Sequence, residues 1–349
     1  MEPQPSPSSA PVKDDPKIIF GWCMYDWANS AYITIAVGLL PVYFATAIIG
    51  PSGLVFRGTR YEADTLWAIL IGSADLIAFV CAPVLGAIAD FSAAKKRFLL
   101  FFAYMGSLAT TLLYLAHTGD VYRTMILFLI AQVCYTNANV VYDAFLPQIA
   151  SEEKMDWVSG KGFSYGYVGG GLQFALALLL VVGHKTLGIP QELAARIGIA
   201  SSGLWWGGFT LYTARHVREA PSRETLPQRY RGWPRPLAFL AVGLSRTVRT
   251  TLRVRRFRHL ALFLVAFMLY NDGIQTVINL ATAYGTVELK LPPWVLMGTL
   301  LVIQVVASLG ALFFSRLAER IGTKRAIMVT LVLWSGVVAY AYFITSAAQ

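Results

Sequence analysis

Near the start of the first long apolar run, Ile18 to Ile49, stands the string Trp22-Cys23-Met24-Tyr25-Asp26-Trp27-Ala28-Asn29-Ser30. At 100° per residue, Trp22, Tyr25, Asp26 and Asn29 share a sector of roughly 100° on a helix, with Ile33 beside them. A carboxylate inside an apolar run costs on the order of 3 kcal/mol, so it normally faces a bundle interior or a water-filled cavity. There it can carry a proton or pair with a substrate amine, while Trp22 and Tyr25 supply walls that attract cations. Asn29 and Ser30 have a simpler use as hydrogen-bonding partners of a neighbouring helix.

Two more stripes of this kind follow. Between residues 122 and 147, Gln132, Tyr135, Asn139, Tyr142 and Asp143 fall within about 100° of arc; between 258 and 287, Asn271, Asp272, Gln275, Asn279 and Thr282 do the same. Asp26, Asp143 and Asp272 are the expected proton or amine partners. Asn29, Asn139, Asn271 and Gln275 would orient a substrate by hydrogen bonds, Gln132 and Asn279 belong to the same substrate and ion site, and Trp22, Tyr25, Tyr135 and Tyr142 would form its apolar or cation-attracting walls. Asp75, in the second apolar run, either joins this polar set or pairs with a polar neighbour.

Other motifs lead away from catalysis. Gly162-Phe163-Ser164-Tyr165-Gly166 spells G-x-S-x-G, but that elbow requires a strand-to-helix turn with a histidine and an acid in context. Glycines 162, 166 and 170 read instead as two overlapping G-x-x-x-G steps that let one helix approach another closely. Gly169 to Gly171 is followed by no Lys-Ser/Thr pair, so it is no phosphate loop. Cys23, Cys81 and Cys134 form no C-x-x-C pair or Cys/His cluster. Neither an enzyme nor a metal or cofactor site is expected.

The elements that must position these stripes are membrane helices. The chain is 56% hydrophobic and only 14% charged, where soluble domains carry about 25% charged residues. Runs long enough to cross a bilayer of about 30 Å fall at about 20–49, 64–89, 98–117, 122–147, 162–183, 195–214, 258–287, 293–315 and 326–346, giving nine expected spans. With the N-terminus inside, 23 of the 29 Lys and Arg lie on the cytoplasmic side, which sets the orientation and leaves the C-terminus of the chain outside. That asymmetry explains most of the net charge of +10 through a bilayer with an anionic inner leaflet rather than nucleic acid.

The expected organisation is a disordered cytoplasmic tail (1–17), a six-helix bundle (18–215), a basic cytoplasmic linker (216–257) and a three-helix segment (258–349). The linker ends in an amphipathic helix, expected from Leu237 to Leu260, lying on the inner leaflet. The two halves repeat. Tyr25-Asp26 recurs as Tyr270-Asn271-Asp272, and Asp90 with Lys95-Lys96-Arg97 recurs as Glu319 with Lys324-Arg325. Internal duplication with a site between the halves is a transporter signature.

Gly86, Asp90 and the cluster Lys95, Lys96, Arg97 resemble the conformational latch between helices 2 and 3 of the major facilitator superfamily, although Phe91-Ser92-Ala93-Ala94 stands where a tighter Arg-x-Gly turn is usual. Tyr25-Asp26-Trp27-Ala28-Asn29-Ser30 together with Tyr270-Asn271-Asp272-Gly273-Ile274-Gln275-Thr276 is similar to its vacuole effluxer (autophagy-related) branch. The resemblance implies an all-α polytopic membrane fold with helices 1, 4, 7 and 10 lining a cavity, and a latch counterpart at Glu319, Lys324 and Arg325. It also implies twelve helices, so the chain reads as truncated after nine, with a complete N-terminal bundle and a partial C-terminal one.

The function expected is secondary active transport of a small metabolite, amino acids by resemblance, in the export direction, across the plasma or inner membrane, with a proton as the coupling ion the carboxylates would accommodate. The competing expectation is a non-transporting membrane scaffold or receptor, or an inactive fragment of such a transporter.

Overall fold

The structure, a computed structural model, describes residues 13–92, 94–219, 227–230, 232–254, 257–287 and 293–343. The first helix, α1 (Pro16–Gly38), starts where Asp15 accepts a hydrogen bond from Lys17 N at 2.8 Å and Pro16 occupies the first turn, a site where a missing N–H costs nothing. Pro41 breaks the same apolar run, because it has no N–H to donate to the carbonyl four residues back and its ring crowds that carbonyl. The chain bends by 41° into α2 (Leu40–Tyr43) and continues as a π-helical turn, Phe44–Ile49, that Gly50 ends at φ 66°.

A short antiparallel hairpin follows, β1 (Leu54–Phe56) and β2 (Thr59–Tyr61). Its two-residue turn, Arg57 at φ 51° and Gly58 at φ 79°, has the mirror-image twist that suits strand pairs.

Then come α3 (Ala63–Ser92), α4 (Lys95–Leu112), α5 (Val121–Asp143), α6 (Leu146–Ile149), α7 (Met155–Val182) and α8 (Gln191–His216). The second half comprises α9 (Arg235–Val254), α10 (Arg258–Val287), α11 (Pro293–Ile321) and α12 (Thr323–Ala341). The fold is that of an all-α polytopic membrane protein. Among the described residues seven helices are long and apolar enough to span, or eight if the bent α1–α2 run counts as one. The remaining one of the nine expected spans is α8, whose first turns carry Glu192 and Arg196 and which packs against α1, α4 and α7.

Two expected boundaries move. The supposed latch loops are mostly helix: Lys95 to Arg97 form the first turn of α4, and only Gly322, at φ 87°, separates α11 from α12. A glycine takes that left-handed φ without strain, so neither helix needs to end early. The amphipathic segment is also two helices rather than one. Its surface helix, α9, ends at Val254, and Arg258 to Leu260 already belong to α10. Ala238 and Val242 of α9 are buried and the helix packs on α3, while Leu237, Leu244, Val248 and Leu252 stay exposed.

The core is centred on α1, which packs against α7 and α8. The seat on α7 is made of glycines. A methyl built on Gly166 would come within 2.7 Å of Ser30 Oγ and 2.9 Å of Asp26 Cγ; on Gly170, within 2.6 Å of Thr34 Oγ1 and 2.8 Å of Ser30 O. Gly162 would likewise meet the Trp22 ring at 2.6 Å. The opposite side of α7 receives α11: Ser164 and Ser308 are hydrogen-bonded at 2.8 Å, and Gly160 and Gly171 lie against Ser315 and Gln304.

Of the expected tail, residues 1–12 lie outside the described residues, but Asp14 is docked. Its N–H donates to Ile149 O at 2.8 Å, and its carboxylate accepts from Ser151 N at 3.0 Å and sits 3.6 Å from Lys154 Nζ. The backbone hydrogen bond from Ser151, helped by Lys154, holds the carboxyl below the usual range. A group lowered in this way supports docking above the ordinary carboxylate range and loses that support as pH falls through its depressed value. The protection of the Ser151 amide, relative to its intrinsic exchange rate at the same pH, should therefore fall on acidification, and in Asp14→Ala it should be low at every pH.

Overpacking a tight contact costs about 1–3 kcal/mol, whereas interhelical side-chain hydrogen bonds in membranes average about 0.6 kcal/mol. Gly166→Leu or Gly170→Val should therefore lower the thermal midpoint in detergent more than Asn29→Ala does. Gly310→Ala, where nothing lies within 4 Å of the added methyl, should leave the midpoint unchanged or raise it.

Candidate substrate and ion site between α1 and α5

The stripes on α1 and α5 meet each other. Trp22 stacks on Tyr142 with centroids 4.3 Å apart and planes 8° from parallel, and its Nε1 donates to Tyr142 O at 3.1 Å. Tyr25 leans on the same ring at 5.1 Å. Asn29 Nδ2 donates to Asn139 Oδ1 at 2.6 Å, and one turn further Tyr32 OH donates to Gln132 Oε1 at 2.9 Å while its ring approaches Tyr135.

Trp22, Tyr25, Asn29 and Tyr142 are thus buried in a packed seam, where open cavity walls were expected. Matching aromatic and amide faces bury more apolar surface against each other than against water. Beside the seam runs an open edge. Asp26 is half-buried against Gly166, Asp143 is exposed, and Gln132, Tyr135 and Asn139 are half-buried. The two carboxylates lie within electrostatic reach of each other, and Tyr135 and Tyr167 lie within reach of Asp26.

Inside the seam Tyr142 OH has no hydrogen-bond partner among the described residues, while Tyr25 OH, Asn29 Oδ1 and Trp206 Nε1 lie against one another without a well-aligned bond. A buried polar atom left without a partner costs about 1–3 kcal/mol. The arrangement offers two carboxylates for a cation or proton, amides and phenols for hydrogen bonds, and aromatic faces. No group of three or more His, Cys, Asp or Glu able to hold a metal occurs among the described residues.

The α10 stripe is not brought to this place. Asn271, Asp272 and Gln275 are exposed, and the side chain of Asn279 lies outside the described residues. Asp75 is exposed on α3 beside Leu76. Sequence reasoning missed Tyr32, Tyr167 and Trp206. Tyr32 lies seven residues from Tyr25 and its place on the stripe was readable; Trp206 and Tyr167 sit on helices without polar periodicity and carried no signal.

At the expected latch, Gly86 is exposed and the Asp90 side chain lies outside the described residues. The backbone N–H groups of Lys95 and Lys96 donate to the Glu219 carboxylate at 2.7 and 3.1 Å. Glu219 therefore caps α4 at its positive end, a role the sequence reading did not assign. Arg97, Glu319, Lys324 and Arg325 are exposed. What joins the halves nearby is a different set: Thr323 Oγ1 donates to Asp156 Oδ2 at 2.7 Å, and Arg316 lies over the Trp157 ring at 4.7 Å.

The helical fold is that of a multi-pass membrane protein, and its family and relatives make it a transporter of the major facilitator type. Residues 14–348 match the family model described as "Vacuole effluxer Atg22 like", and the chain belongs to that family. It is 31% identical over 325 residues to an uncharacterized MFS-type transporter of Bacillus subtilis, covering 92% of this chain and 72% of that protein. It is 26% identical over 257 residues to autophagy-related protein 22 of Kluyveromyces lactis, covering 70% of this chain and 51% of that protein. With the counterpart in Eremothecium gossypii it shares 23% identity over 369 residues, covering 92% and 70%.

Replacing Glu219 by Ala should cost about 1 kcal/mol, as loss of a helix cap does, and should speed amide exchange at Lys95 and Lys96 while leaving that at Ser151 unchanged.

Proposed function

We propose that the chain works as a secondary transporter that moves a small metabolite by alternating access, with the open edge of the α1–α5 seam as its substrate and ion site. The observation that carries this reading is the pair Asp26 and Asp143 beside the poorly satisfied polar atoms of the seam. Asp26 and Asp143 take the proton or the substrate ammonium, Asn139 and Gln132 orient the substrate, and the half-buried Tyr135 forms its wall. Asp272, with Asn271, Gln275 and Asn279, is the stripe that the second half brings to the seam only when the halves rock, and the polar contacts at the cytoplasmic ends of α7, α11 and α12 are the latch.

Amino acids are the substrate class the effluxer family suggests, and export is the direction. The N-terminus is cytoplasmic, the membrane is the plasma or inner membrane, and α9 lies on an anionic inner leaflet with Arg249 and Arg253 toward the headgroups. The exposed α10 stripe favours a second reading, a membrane scaffold or receptor that does not transport.

Amino-acid counterflow into proteoliposomes separates the two. Transport predicts trans-stimulated uptake by the wild-type chain. Asp26→Asn and Asp272→Asn should then lose proton-driven uptake at least tenfold and retain part of the exchange. Unchanged pH dependence in both variants rules these carboxylates out as coupling sites, and absence of counterflow in the wild type leaves the scaffold reading standing.

A further inference from the structure

The surface helix α9 carries charges that its own packing does not use. It has four arginines and no acidic residue. Arg253 lies in the last turn, where a cation meets the negative end of the helix. Arg249, one turn earlier, has no such use, and neither of the two has a hydrogen bond or ion pair among the described residues. Like charges four residues apart repel each other on a helix. Both side chains are exposed, and with Leu244, Ser245, Val248 and Leu252 they line one open hollow.

The hollow has an apolar side and a basic side. At 100° per residue, Leu237, Leu244, Val248 and Leu252 fall within about 80° of arc, all of them exposed, and the two arginines stand to one side of that strip. The short turn Gln228–Tyr230 brings a third cation: Arg229 Nη2 donates to Ser245 Oγ at 3.2 Å, which holds the guanidinium one turn before Arg249. Arg229 also lies over the Tyr230 ring at 4.5 Å, and Trp233 meets that ring edge-on at 5.8 Å. Tyrosine and tryptophan settle at the level of lipid headgroups.

Side chains one turn apart start about 5–6 Å from each other, a spacing that one phosphate bridges, and guanidinium groups bind phosphate oxygens through paired N–H donors. The strip beside them fits an acyl chain. No carboxylate lines the hollow among the described residues, so a headgroup amine finds no partner there and sets its charge against three arginines.

We infer that this hollow binds one anionic glycerophospholipid, with its phosphodiester between Arg249 and Arg253 and an acyl chain along Leu244, Val248 and Leu252. The inference rests on the reading that α9 lies on the inner leaflet and goes beyond it, because attraction to a charged leaflet needs net charge alone, whereas this site has a position and a stoichiometry.

The test is native mass spectrometry of the chain in nonionic detergent, titrated with dioleoylphosphatidylglycerol and, separately, with dioleoylphosphatidylcholine. The expected result is a first adduct of one lipid per chain, at least tenfold tighter for phosphatidylglycerol. Arg249→Gln with Arg253→Gln, and separately Val248→Asp, should weaken that adduct at least tenfold with the thermal midpoint retained. Arg57→Gln with Arg60→Gln, which removes the same charge from the β1–β2 hairpin, should not change it. Equal affinity for the two lipids, an undiminished adduct in both α9 variants, or the same loss in the hairpin variant overturns the inference. Displacement of the lipid by millimolar inorganic phosphate also overturns it, by showing a site that reads phosphate alone. The placement of α9 is checked by itself: benzoylphenylalanine in place of Leu237 should photo-cross-link to lipid in nanodiscs of phosphatidylcholine alone. Its failure to do so removes the leaflet reading and the inference with it, whereas cross-linking combined with equal lipid affinities overturns the inference only.

Discussion

The whole arrangement depends on how closely α1 can lie on α7. Glycines 162, 166 and 170 remove the side chains that would otherwise hold the helices apart, and Ser30, Thr34 and Asp26 occupy the space released. In a bilayer, where lipid tails are as apolar as leucine, such shape matching is a main source of helix association. With α1 fixed there, its opposite face is presented to α5, and Trp22, Tyr25 and Asn29 find Tyr142 and Asn139. Asp26, between the two faces, is left at the seam's edge. The position of the carboxylate is therefore a by-product of glycine spacing on a different helix.

Much of this was legible in the sequence because membrane helices obey a simple period. The polar stripes of α1 and α5 were found by angle alone, and the glycine steps of α7 by their four-residue spacing. What angle cannot tell is the partner a stripe faces. The residues on α1 and α5 turned toward one another and closed over most of what a cavity would need, while Asn271, Asp272 and Gln275 stayed outside. Periodicity gives a direction on one helix; the partner across the gap comes from packing.

The missed features share a physical cause too. Glu219 caps α4 from more than a hundred residues away, and local helix-start signals do not reach that far. The π-helical turn after Pro41 follows from a conflict between a proline and a continuous apolar run, which composition cannot resolve. The docking of Asp14 on the α6 end rests on a left-handed backbone at φ 65°, tolerable for an aspartate but not announced by it.

The two sides of α7 carry a consequence for motion. Toward α1 it offers bare glycine backbone, and toward α11 it offers Gly160, Ser164 and Gly171, with Ser164 to Ser308 joining the two helices and Gln304 of α11 reaching past α7 to Thr34 of α1 at 2.8 Å. Hydroxyl and amide groups exchange partners readily when one surface shifts by a fraction of a turn, whereas on the α1 side Trp22 over Gly162, Trp27 over Gly169 and Phe174 over Gly38 key the two helices in register. A helix flanked in this way is welded to α1 on one side and works as a lubricated bearing toward α11 on the other, so that friction between the two halves of the molecule is set by its smallest residues.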